Sequence, residues 1–256
     1  MTDYPAVALR GLHKKFGATY AVRGIDLDVP IGSFFGLVGP NGAGKTTTLS
    51  MTTGLLRPDY GTAYINGYDV WADPVRAKSI IGVLPDGLRL FERLTGHELL
   101  LYGGLLRSMD AGVVQARASE LLHVLGLDDA AGVMVVDYSH GMRKKIGLAA
   151  ALLHAPRVVF LDEPFEGVDP VSARAIKAVL ESFVSAGGTV VFSSHVMELV
   201  ETLCDRVAVV DSGQIVASGT IESVRGGRRL EDVFADLVGA DDAGMEGLSW
   251  LRSSSA

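Results

Sequence analysis

The stretch SFFGLVGPNGAGKT, residues 33–46, decides the fold. Its first half, SFFGLVG, is an apolar run closed by glycine, the pattern of a short buried strand. Its second half, GPNGAGKT at 39–46, spaces a glycine, four residues, and then Gly-Lys-Thr. From Gly44 to about Gly54 the apolar residues recur at helical spacing, so the glycine-rich turn joins a strand to a helix. That context gives the turn a physical task. Glycines let the backbone fold its N–H groups around a phosphate chain, and the helix N-terminus adds a favourable field. Gly39, Asn41, Gly42, Ala43 and Gly44 form the expected cradle, and Thr47 follows in the same contact set. Lys45 can reach the outer phosphates as a point charge, while the Thr46 hydroxyl can meet Mg²⁺.

Further along, VVFLDE at 158–163 reads as a buried strand that ends in two acids. Asp162 at its carboxyl end can hold Mg²⁺, as in phosphoryl-transfer sites generally. Glu163 is the candidate to orient or deprotonate an attacking water. Around these two anchors the chain alternates strands and helices. AVALRGL, AVRGIDLDV, GTAYING and IGVLP read as strands before residue 86. RVVFLDE, TVVFSS, RVAVVD and QIVASG read as strands after Pro156, with helices over PVSARAIKAVLESFVSAG and HVMELVETLC. A helical stretch over about 94–155 separates the halves. Strands alternating with helices predict a largely parallel sheet covered by helices, and the long helical stretch predicts an inserted subdomain.

Composition sets the outer limits. The chain has 256 residues, 48% apolar and 21% charged, enough for a large globular core. Its formal net charge of −7 argues against a nucleic-acid module, which usually carries a basic excess. One cysteine, Cys204 in an apolar helical pattern, allows no intrachain disulfide and fits a reducing compartment. No signal-peptide pattern opens the chain, and LLLYGGLL at 99–106 is too short to span a membrane. A membrane role would therefore need a partner. From 239 onward the sequence turns small and polar, and a flexible tail is expected over 239–256.

The ordered motifs GPNGAGKTT, IGVLPD, YSHGM, VVFLDEP, EGVDP and SSH before a helix resemble the nucleotide-binding subunits of ATP-binding cassette (ABC) transporters over about residues 6–238. The resemblance implies a P-loop NTPase core with a largely parallel sheet and an N-terminal antiparallel β subdomain. It also implies one ATPase domain over 1–238, with an α-helical insert over about 87–155. It implies head-to-tail dimerisation around two ATP molecules, each lying between one subunit's phosphate loop and the other's signature loop. By the same resemblance Phe16 stacks on adenine, Asp169 crosses the dimer interface, and His195 contacts the γ-phosphate and steadies the water. Lys45 and Glu163 would join His195 as the catalytic set, and Asp162 would join Thr46 on Mg²⁺.

Two positions depart from the family pattern. Asp86 stands where glutamine is usual; it is shorter and anionic, and is expected to touch the metal through water. The signature pentapeptide is Tyr138-Ser139-His140-Gly141-Met142 where Leu-Ser-Gly-Gly-Gln is common. Ser139 precedes the apolar-periodic MRKKIGLAAALL and is a candidate N-cap, which would free the first backbone N–H groups for a partner's phosphate. Ser139 and Gly141 remain nucleotide contacts provided the His140 backbone keeps a negative φ.

The YSHGM form and LEDVFADLVG at 230–239 are similar to the branch with ABC-2 type exporters. The resemblance thus implies an ATPase that powers export through a separate transmembrane permease, paired with a second copy or a paralogue, with ATP and Mg²⁺ bound. It would sit on the cytoplasmic face of the cell membrane, held by the permease. The docking groove would run from Asp86 to the apolar helix near Leu99–Leu106. An importer ATPase, a non-transport ATPase of the family, and a regulatory module without turnover are the rivals.

Overall fold

The computed structural model describes residues 4–239. Its first elements are β1 (Val7–Phe16), β2 (Thr19–Val29), β3 (Phe34–Val38), α1 (Lys45–Thr52), β4 (Tyr60–Ile65), β5 (Tyr68–Asp69), α2 (Pro74–Ser79) and β6 (Ile81–Leu84). Three helices follow, α3 (Gly96–Leu106), α4 (Ala111–Val124) and α5 (His140–Leu152). The chain then continues through β7 (Val158–Leu161), α6 (Pro170–Ser185), β8 (Thr189–Ser194), α7 (Met197–Leu203), β9 (Arg206–Asp211), β10 (Gln214–Thr220), α8 (Ile221–Arg225) and α9 (Leu230–Val238).

Two sheets organise these elements. The larger has the order β10-β9-β3-β8-β7-β6, parallel throughout except for β10, which pairs antiparallel with β9 at the edge. The smaller, β2-β1-β4-β5, is antiparallel. This is the expected mixed α/β architecture. Alternation along the central strands divides the interior in two. Phe34 and Val38 of β3, Val159 and Leu161 of β7, and Phe192 of β8 face the core under α3–α9. Phe35 and Leu37, Val158 and Phe160, and Val191 face the second core, shared with β1, β2, β4 and α1. Because both faces are covered, the central strands read as continuous apolar runs. Leu49 and Met51 anchor α1 in the second core, which fixes the helix that the glycine-rich turn opens.

The helices between β6 and β7 start where side chains satisfy first-turn N–H groups. Thr95 and Glu98 form a reciprocal capping box on α3, Asp110 caps α4, and Ser139 caps α5. Two details escaped the sequence reading. β1 extends beyond AVALRGL to Phe16 because its polar arm, HKKF, is paired in a hairpin that projects into solvent. α2 has six residues, too few for an apolar period, although its Asp73 cap and Pro74 start are a helix signal. Apart from Gly239, the tail expected over 239–256 lies outside the described residues.

Candidate functional site

The glycine-rich turn runs from the end of β3 to the first residue of α1. Gly42 and Gly44 have φ of +83° and +107°, conformations that side chains with a Cβ rarely adopt. Gly44 also presses against the Ala21 carbonyl, and Gly39 against the Val210 carbonyl, so neither has room for a methyl group. The first N–H groups of α1 open onto a cleft of about 340 Å³, lined by residues 41–47 with Ala21, Asp86, Glu163 and Glu166. Lys45 is buried, and its ammonium donates to the carbonyls of Gly39 (2.7 Å) and Pro40 (3.2 Å).

The acids stand at the carboxyl end of β7, next to the turn. Asp162 is 4% exposed. The Ser193 hydroxyl donates to Asp162 Oδ1 at 2.5 Å and accepts the Glu163 N–H at 2.9 Å. One side chain from β8 therefore fixes both acids. Glu163 itself has φ of +45°, a left-handed conformation that costs a non-glycine residue about 1–2 kcal/mol. Its carboxylate Oε1 lies 3.2 Å from His195 Nδ1 and 3.6 Å from Lys45 Nζ. The turn, the acidic strand and the histidine after β8 thus converge on one carboxylate.

The donor set suits Mg²⁺. A hard cation that keeps waters and phosphate oxygens needs only one or two protein ligands. Thr46 offers a hydroxyl and Asp86 a carboxylate on the wall of the cleft, and Asp162 keeps Oδ2 free of the Ser193 hydrogen bond. No group of three or more His, Cys, Asp or Glu placed to hold a metal ion occurs among the described residues.

The signature residues gather elsewhere. Ser139 is exposed and accepts the Met142 N–H at 3.2 Å, as an N-cap does. His140 is the first residue of α5 and is not among the positive-φ residues, so the condition placed on its backbone is met. Its imidazole turns back on its own chain, with Nε2 3.1 Å from the Glu166 carbonyl. Gly141 packs against Asp169 Oδ2 and Ser172 Oγ, where a Cβ would stand at 3.0 and 3.2 Å. Asp169 caps α6 through Oδ1, accepting the N–H groups of Val171 and Ser172. Those hydrogen bonds, with the Ser172 hydroxyl, hold the Asp169 carboxyl below the usual carboxylate range. Ser139, Gly141 and Asp169 do not line this chain's own cleft.

Phe16 is 52% exposed at the hairpin tip, paired with Thr19, two residues before the cleft-lining Ala21. Sequence reasoning missed Ser193, Glu166 and Lys144. Ser193 belongs to the SSH motif, which was a usable signal. Lys144 is a lysine in a helix whose neighbours are buried; its ammonium donates to the Glu163 carbonyl at 2.9 Å.

Comparison with known proteins accords with this geometry. The family described as "ABC transporter" matches residues 22–166. The chain is 39% identical over 209 residues to the linearmycin resistance ATP-binding protein LnrL of Bacillus subtilis, covering 82% of this chain and 67% of that protein. It is 40% identical over 215 residues to the daunorubicin/doxorubicin resistance ATP-binding protein DrrA of Streptomyces peucetius, covering 84% of this chain and 65% of that one. It thus spans about two thirds of the length of these relatives. A solved structure of the ATP-binding subunit of an ABC transporter superposes with a TM-score of 0.85 at 26% identity, covering 91% of this chain and 99% of the other. The family match takes in the phosphate turn, both acids and the signature helix, more than half of the sequence, and the chain belongs to the ABC transporter family of ATP-binding proteins.

Proposed function

We propose that the chain is the ATP-hydrolysing subunit of an exporter, paired head to tail with a second copy or a paralogue and driving a separate transmembrane permease. The observation that carries this reading is the Glu163 carboxylate, held between the His195 imidazole and the Lys45 ammonium beside the phosphate turn. A carboxylate so placed can take a proton from water attacking the terminal phosphate. In this reading the N–H groups of the turn hold the phosphate chain, Lys45 lends its charge, and Phe16 stacks on the base. Thr46, Asp162 and Asp86 would hold Mg²⁺, directly or through water. The bound metal would offset the charge that grows on the phosphate oxygens. His195 orients the water and the Glu163 carboxylate.

Ser139, Gly141 and Asp169, with the backbone N–H of His140, act on the partner's nucleotide. Support comes from the absence of Ser139, Gly141 and Asp169 from the lining of the chain's own cleft, and from the first-turn N–H groups of α5 behind an exposed Ser139. For the permease, the exposed side chains of Phe91, Tyr102, Leu105 and Leu106 offer an apolar face, with the Phe91 and Tyr102 rings edge to face at 5.2 Å. No helix among the described residues is long and apolar enough to cross a membrane. In this reading the chain joins the cytoplasmic face of the membrane through the permease. The resistance named for LnrL and DrrA supports export as the direction.

Phosphate release from Mg·ATP tests the reading. Glu163→Gln should lower turnover by about 10²-fold or more, the usual scale for a general base, and should trap an ATP-bound dimer on size exclusion. Turnover unchanged in Glu163→Gln would refute the role of Glu163.

A further inference from the structure

Glu163 is held by its main chain from two sides. Its N–H donates to Ser193 Oγ at 2.9 Å, from the sheet. Its carbonyl accepts the Lys144 ammonium at 2.9 Å, from the second turn of α5. Lys144 is 5% exposed, and the Glu163 carbonyl is its hydrogen-bond partner among the described residues. Its neighbours Ile146, Leu148 and Ala149 are fully buried, so this stretch of α5 is core. A buried ammonium is disfavoured unless it meets a well-placed acceptor. Here that acceptor is the carbonyl of the residue in the left-handed conformation.

A second contact repeats the arrangement one turn earlier. His140 lies four residues before Lys144, on the same face of α5, and its Nε2 stands 3.1 Å from the Glu166 carbonyl. The helix thus clasps the 163–166 loop at both of its ends. A tight loop held by carbonyl acceptors cannot relax out of a strained conformation without breaking those bonds.

We infer that Lys144 is a positioning residue for Glu163: its ammonium, delivered by the signature helix to the Glu163 carbonyl, holds the left-handed turn that aims the carboxylate at Lys45 and His195. The inference rests on the hydrolytic reading of Glu163. It also gives the signature helix a second task. The same helix that offers its N-terminus to a partner's nucleotide keeps this chain's own Glu163 in place, so the two sites are joined through one rigid element. His140, the departure from the family pattern, adds the outer half of the clasp.

The test compares Lys144→Met, which keeps the stem and removes the donor, with Lys144→Arg, which restores a charged donor. Steady-state hydrolysis of Mg·ATP, binding of a fluorescent ATP analogue, thermal melting and amide hydrogen exchange are measured on the full chain. Lys144→Met should lose about tenfold to a hundredfold in kcat, the scale of an ångström-sized misplacement, with KM and analogue affinity within about twofold. Amides of residues 163–168 should exchange faster in Lys144→Met, and Lys144→Arg should recover most of both effects. Two results would overturn the inference. One is a kcat within about twofold of wild type with unchanged exchange in the loop. The other is a melting temperature lowered alike in both variants, with no recovery in Lys144→Arg, which would leave Lys144 a residue of the core alone. Absence of turnover in the wild-type chain would instead refute the hydrolytic reading itself.

Discussion

Removing the hydroxyl that bridges the two acids, Ser193→Ala, should be among the more destabilising single-atom deletions available in this fold. Ser193 is fully buried, and its oxygen serves both as donor to Asp162 Oδ1 and as acceptor for the Glu163 N–H. The variant leaves a buried carboxylate oxygen and a part-buried N–H without partners. A hydrogen bond to a charged group contributes about 1.5–3 kcal/mol, and an orphaned buried polar group costs about 1–3 kcal/mol. Alanine fills nearly the volume of serine, so no cavity term offsets or enlarges this. The expected loss is ~3–5 kcal/mol, and at the ~2–4 °C per kcal/mol typical of larger domains the melting temperature should fall by roughly 6–20 °C. Turnover should fall as well, because the Glu163 backbone loses its anchor on the sheet side. Urea denaturation gives the first number and phosphate release the second. A Ser193→Ala chain within about 1 kcal/mol of wild type would show that the acids are held by the surrounding backbone rather than by this hydroxyl.

His154 predicts a pH effect far from the cleft. Its Nε2 meets the Ile81 carbonyl at 2.8 Å, and Nδ1 is buried without a hydrogen-bond partner among the described residues. Burial, then the nearby Arg107, push its pKa down to about 4, against the Ile81 carbonyl. With a folded pKa below the unfolded value, the contribution of neutral His154 is complete above about pH 6.5 and is lost as the pH falls toward 4. After discounting for partial exposure, the loss is about 1–2 kcal/mol, and His154→Gln should flatten that part of the stability profile; an unchanged slope would exclude His154 as its source. Asp86 predicts a metal effect. Asp86→Ala should raise the Mg²⁺ concentration for half-maximal turnover and Asp86→Gln should change it less, whereas identical Mg²⁺ curves would remove Asp86 from the metal site.

Much of the site was legible because its chemistry is local. The phosphate turn needs φ above zero at Gly42 and Gly44 and contacts too close for a Cβ at Gly39 and Gly44, and only glycine meets those demands. The strands of the central sheet were legible because both faces are buried, which leaves an unbroken apolar run in the sequence. The cap at Ser139 acts within three residues of itself, so it too is written in a short motif.

Tertiary structure alone decided what each side chain is for when its partner is distant in sequence. Ser193 lies 31 residues from Asp162, and Lys144 lies 19 from Glu163; no periodicity links either pair. The left-handed turn at Glu163 is equally hidden, because glutamate carries no local preference for it and only the contacts around it hold it there. His140 shows the difference most plainly. By sequence it was a residue whose backbone φ decided whether the signature loop could serve a partner's phosphate, and in the fold its Nε2 faces the Glu166 carbonyl of its own chain. The sequence by itself determined the turn, the strands and the acids, because backbone sterics and burial periodicity act over a few residues. The fold decided how those acids are held, because that depends on which elements the sheet brings side by side.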